Sequence, residues 1–151
     1  MQIQFETLQQ SRNLLVKVIN KLTLEQLNTV PKGFHNSIAW NLAHLTVTQQ
    51  LLCYKLSGLD GYISDKMIQH FQKGTAPEYY VSQQEFDNCK ELFLSLPETL
   101  KLDYNKGIFK KYKSYTTSVN VTLNCIEDAI AFNNYHEGIH LGVILQLKKL
   151  V

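Results

Sequence analysis

Apolar residues recur at helical spacing over four stretches of this chain, and that pattern admits few folds. Residues 3–22 carry Phe5, Leu8, Leu15, Ile19 and Leu22 on one stripe. A second stretch, opened by Asn36 or Ser37 as cap, runs to about Leu56 with Ile38, Leu42, Leu45, Leu52 and Leu56 inward. Gly58 is its natural stop. Ser82 with Glu85 spells a capping box and opens a third helix over about 83–95, with Pro97 marking its end or a bend. The last helix is expected from about Thr122 to Lys149, on Ile126, Ile130, Ile139, Val143 and Leu147. Lys148 and Lys149 stand where the helix dipole favours cations. Between these stretches, Thr23 and Gln26 form another capping box, and Pro31 and Gly33 end the turn it opens. Residues 58–81 are irregular, with a short helix expected after Ser64. Strand-like sequence is confined to 101–119, rich in Tyr, Lys and Thr around Asn105-Lys106-Gly107, a loop or short hairpin. The expectation is an all-α, four-helix bundle with a short loop or hairpin insertion before the last helix, one domain over residues 1–151.

Charge narrows the partners. The net charge is +2, with 14 lysines and a single arginine, Arg12. Nucleic-acid binders cluster Lys and Arg on one face. Here the one dense basic patch is Lys106 to Lys113, mixed with Phe109 and Tyr112, and it reads better as a hairpin whose lysines guard its edges than as a strand-binding surface. Nucleic acid is therefore not an expected partner. No run approaches the length of a membrane span. Residues Met1 to Glu6 lack the basic and apolar regions of a signal peptide, and Cys53, Cys89 and Cys125 offer no CxxC pair, so a reduced, cytoplasmic protein is expected.

The chemistry concentrates in Asn133-Asn134-Tyr135-His136-Glu137-Gly138-Ile139-His140. On a helix, His136 and His140 share one face, one turn apart. The stretch also spells H-E-x-x-H, the zinc-protease signature, which needs a third ligand downstream. The eleven residues after His140 contain no His, Asp, Glu or Cys, so a protease site is not expected. Upstream, His44 stands mid-helix among apolar neighbours, where both ring nitrogens need partners. Added to the pair on the last helix, it makes a three-histidine face with open positions, the pattern of a catalytic metal site. Spacing alone leaves alternatives open: the pair can arise by chance, and His44 can be a hydrogen-bonded core histidine.

Three blocks carry a family resemblance: Ser37-Ile-Ala-Trp-Asn-Leu-Ala-His44-Leu45, Tyr135-His-Glu-Gly-Ile-His140-Leu-Gly-Val-Ile144, and the lead-in Leu22 to Leu27 with Pro31 and Gly33. In these the chain resembles the DinB-like (YfiT-like) superfamily of metal-binding bundles, relatives of bacillithiol S-transferases and mycothiol-dependent maleylpyruvate isomerase. The resemblance implies one divalent metal, zinc or nickel, on His44, His136 and His140. It also implies a low-molecular-weight thiol as co-substrate, and a homodimer. A thiol S-transferase is the leading expectation for function. A metal-dependent hydrolase and a non-catalytic metal-binding dimerisation module are the alternatives.

Neighbouring residues fill in the site. Asn41 and Thr48 share the face of His44 and are expected to orient a ligand or touch substrate. Glu137, about 100° round the helix from His136, and Asn133 are candidate proton handlers. Gly142 allows close approach, beside the site or at a subunit contact. His35 and His70 lack ligand spacing and are expected at the surface. Arg12 falls near the apolar stripe of the first helix, where a snorkelling surface position is expected over contact with an anionic substrate.

Overall fold

The computed structural model describes all 151 residues. Six helices and one two-stranded ribbon make up the chain: α1 (Gln2–Ile19), α2 (Leu24–Asn28), α3 (Ile38–Cys53), α4 (Asp65–Phe71), α5 (Gln83–Asn105), β1 (Tyr115–Thr116), β2 (Thr122–Leu123) and α6 (Ile126–Leu147). The four long helices form a bundle. Each of α1 and α3 packs against both α5 and α6, and α2 and α4 pack on α3. No helix is long and apolar enough to cross a membrane.

The caps sit where local chemistry puts them. Thr23 and Ser82 each close a capping box, with Gln26 and Glu85. The Ser37 hydroxyl accepts from the Trp40 amide at 3.2 Å and starts α3. A 3-10 turn over Lys55–Ser57 follows α3 and ends at Gly58, whose φ of 71° is the left-handed conformation glycine adopts without strain. Ser64 caps α4 in the same way as Ser37 caps α3.

Two boundaries depart from expectation. The helix expected over 83–95 continues through Pro97 to Asn105. A proline at that point removes the amide that would bond the carbonyl four residues back. That carbonyl belongs to Phe93, and it accepts instead from Arg12 Nη1 at 2.8 Å. The last helix starts at Ile126 rather than Thr122, because Thr122 and Leu123 pair with Thr116 and Tyr115 in the ribbon.

Helix α3 explains the core. It carries no charged residue, and 14 of its 16 residues are buried, so it runs through the middle of the molecule rather than along an edge. One apolar cluster gathers Leu15, Ile19, Leu42, Leu45, Phe93, Ile144 and Leu147; a second gathers Leu8, Leu52, Leu100, Leu123 and Ile130. On three of the four long helices a buried polar residue falls between the two clusters: Arg12 on α1, Gln49 on α3, Glu137 on α6. The bundle thus has a polar waist.

Arg12 corrects the expectation of a surface side chain. It is 0% exposed and paired with Glu137, itself 3% exposed. Its Nε and Nη2 both donate to Glu137 Oε1, at 3.1 and 2.5 Å, and its guanidinium lies 4.4 Å over the Phe93 ring. A charge this deep is tolerated only when paired and hydrogen-bonded, and the carboxylate, the freed carbonyl and the ring together meet that requirement.

Candidate metal centre

His44 projects from the middle of α3, and His136 and His140 from successive turns of α6, the two helices that pack face to face. The structure brings all three together. Each offers one ring nitrogen, and these atoms lie within 4.8 Å of one another. Ring centroids are 5.2 Å apart for His44 and His136, 4.9 Å for His44 and His140, and 4.5 Å for His136 and His140.

The hydrogen bonds behind the rings fix which nitrogens are bare. His44 Nδ1 lies 2.7 Å from the Phe71 carbonyl, which can only accept, so Nδ1 carries the proton. Its Nε2 is therefore the lone pair, and it has only the Thr48 hydroxyl at 3.3 Å. Asn41 does the same for His140. Its Nδ2 donates to the Ser37 carbonyl at 2.7 Å, which leaves Oδ1 to accept from His140 Nδ1, also at 2.7 Å. His140 Nε2 is thus a lone pair too. An acceptor behind the ring that sets tautomer and orientation is the usual support of a metal-binding imidazole. His136 differs: its Nδ1 is buried without a hydrogen-bond partner. Trp40, one turn before His44, stacks on it at 4.6 Å and 11° and restricts its ring.

Electrostatics favours neutral, ligating rings. Burial lowers the pKa of His44, partly offset by its bond to Phe71. Burial and then the neighbouring His140 and His44 push His136 down to about 3. Burial and then His44 bring His140 down to about 4. Three close imidazoles that resist protonation keep their lone pairs at neutral pH, which is what metal binding requires. The donor set fits a borderline divalent ion, and three protein ligands leave room for others. This three-histidine group can hold a metal ion.

A sequence model of the DinB superfamily matches residues 7–144. The chain belongs to the DinB superfamily. Among solved structures, a conserved protein from Enterococcus faecalis is similar over 99% of this chain and 95% of that one, with a TM-score of 0.67 and 16% identity. That likeness concerns the fold. No curated protein matches. Family and site meet on the same residues, since His44, His136 and His140 all fall inside the matched range.

The remaining expected residues separate into two groups in this DinB-superfamily bundle. Asn41 and Thr48 contact the histidines directly. Glu137 and Asn133 adjoin the histidine face but turn into the polar waist, where Asn133 Nδ2 reaches Glu137 Oε1 at 3.5 Å and Asn133 Oδ1 has no partner. Gly142 has open space where a Cβ would stand, so no close contact within the chain requires it. His35 is exposed, and His70 is half-buried, 3.4 Å from Glu78. Phe71 and Trp40 join the site without being expected there from the sequence. The first acts through its backbone, which no side-chain pattern encodes; the second was legible as the residue four before His44.

Proposed function

We propose that the protein is a divalent-metal-dependent enzyme, with His44, His136 and His140 as ligands and zinc or nickel as the metal. We propose further that it is a thiol S-transferase with a low-molecular-weight thiol as co-substrate. One observation carries the metal part: three neutral imidazoles converge, and two have their bare nitrogen selected by a dedicated acceptor, Phe71 O or Asn41 Oδ1. The metal would act as a Lewis acid that lowers the pKa of a bound thiol or water.

The chain's own residues supply the rest. His44 and His136 line a cavity of about 370 Å³ that opens to solvent, so a substrate has a route to the histidines. Thr48 lines the same cavity and places a hydroxyl beside His44. Glu137 already accepts from Arg12, and its role in the proposal is to anchor α6, not to move a proton. Two of the chain's three thiols do not compete as nucleophiles: burial raises Cys53 and Cys89 to about 12.

The deciding measurement is metal content of protein purified without chelators, compared with His44→Ala. Wild type is expected to hold about one equivalent and the variant far less, since two ligands hold a transition metal weakly. Wild type without stoichiometric metal would end the proposal. Transfer assays with several low-molecular-weight thiols then separate a transferase from a hydrolase, which forms product without thiol, and from a binding module, which forms none.

We also propose a homodimer through the outward face of α6. That face presents Ala131, Tyr135, Gly138, Ile139, Gly142 and Leu145 to solvent without a single charge.

A further inference from the structure

The cavity in front of the histidines is unbalanced in charge. Lys55, from the turn after α3, and Lys73, just beyond α4, both line it, and neither forms an ion pair. No aspartate or glutamate lines it. Asp60 and Asp65 share a neighbouring hollow with Lys55, yet neither pairs with it. Glu137 adjoins His136 in sequence, but its charge is already taken by Arg12. The imidazoles are neutral ligands, so a bound divalent ion would keep its full charge and add to that of the lysines. Uncompensated charge of one sign in a cleft with low-dielectric walls draws the opposite charge from solvent. Leu56 and Phe132 add apolar wall, and Thr117 and Ser118 of the ribbon's turn add hydroxyls.

We propose that this cavity binds a small organic acid, its anionic group held by Lys55 and Lys73 and its apolar body lying against Leu56 and Phe132. The proposal names a substrate class for the metal site and so rests on the function proposed above. Two solvent-facing lysines would ordinarily be read as solubilising charge, since their stems readily lie on apolar surface while the ammonium stays in water. Here both converge on one cavity that is lined by two of the three candidate metal ligands and by no acid.

The test compares 4-phenylbutyrate with its neutral amide, 4-phenylbutyramide, by isothermal titration calorimetry, with metal content measured on every sample. Wild type is expected to bind the carboxylate at least about tenfold more tightly than the amide, the scale of one charge-assisted contact. The Lys55→Met/Lys73→Met double variant is expected to lose about that factor for the carboxylate alone, with amide affinity and metal content unchanged. Both side chains are exposed, so the fold should tolerate the change. Equal affinity for the two probes, binding of neither, or an unaltered double variant would overturn the proposal. Failure of the metal reading looks different. Wild type without metal that still prefers the carboxylate, and loses the preference with the lysines, keeps the acid site and removes the metal. A metal-loaded protein indifferent to ligand charge does the reverse.

Discussion

At the scale of single residues, Asn41 has the clearest assignment. Its amide is oriented by Ser37, and its oxygen is left with one task, accepting the His140 Nδ1 proton. Asn41→Leu removes that acceptor without opening a cavity and is expected to weaken metal affinity about 10- to 100-fold, the usual cost of losing such a support. Asn41→Asp keeps an acceptor and should retain the metal. A competition titration with a chromophoric chelator reads both, and equal losses in the two variants would remove the orienting role. The histidines also predict a pH dependence for metal-free protein. Unfolded, each imidazole gains its proton near 6.5; folded, His136 and His140 resist until about 3 and about 4. Below about pH 6.5 the unfolded chain therefore binds more protons than the native one, and stability falls as pH falls. The slope is at most about 1.4 kcal/mol per pH unit for each histidine. Urea midpoints of chelator-treated protein between pH 7 and pH 5, where most carboxylates stay ionised, should drop steadily. They should drop less in His136→Gln/His140→Gln. A flat wild-type profile would show that the rings titrate normally.

At the scale of elements, the waist of the bundle joins α1, α5 and α6 through one arginine. Arg12 takes the carboxylate of Glu137 from α6 and the Phe93 carbonyl that Pro97 leaves free on α5. Breaking a buried pair from one side strands the other charge, at about 3–5 kcal/mol. Arg12→Met and Glu137→Gln should each cost that much in urea unfolding. Arg12→Met/Glu137→Leu should cost much less than the two together, because neither charge is then buried alone. Additive losses would mean that the pair does not act as a unit. The same junction marks how far the sequence could be read. Helix starts were legible because a cap is a local device: Thr23, Ser37, Ser64 and Ser82 each bond an amide three residues on. His44, His136 and His140 were legible because helical periodicity and a family pattern put them on facing surfaces. Pro97 was misleading because its cost is local while its compensation comes from a side chain 85 positions earlier. Arg12 reads as a surface residue in the sequence for the same reason, since its partner Glu137 is 125 residues away and its depth is set by packing. The ribbon was half legible: its composition showed, but two paired residues per strand carry too little pattern to fix where α6 begins.

At the scale of the whole molecule, two long helices expose no charge beyond their first turn, and only one of them is buried. α3 runs through the core and has no solvent face to charge. α6 faces solvent along one side, yet that side shows Tyr135 at 52% exposure, Ile139 at 45% and Leu145 at 37%, one or two turns apart. A helix at the edge of a monomeric bundle ordinarily turns charged residues outward. Gly138 and Gly142 lie on this face with open space around them, so a second backbone can approach closely. This side of α6 is also the reverse of the one that carries Glu137 into the waist, so burying it against a second copy would stiffen the helix holding His136 and His140. Ile139→Glu places a charge at the centre of the face without touching the core. Sedimentation velocity should find wild type as a dimer at micromolar concentration and the variant as a monomer with unchanged helical content by circular dichroism. The variant's metal affinity should fall only modestly, because the ligands and their acceptors all come from one chain. A monomeric wild type would remove the dimer while leaving the metal site intact. A dimer indifferent to Ile139→Glu would place the contact elsewhere, and the exposed residues of α1, Ile3 and Leu14, are the next apolar surface to substitute.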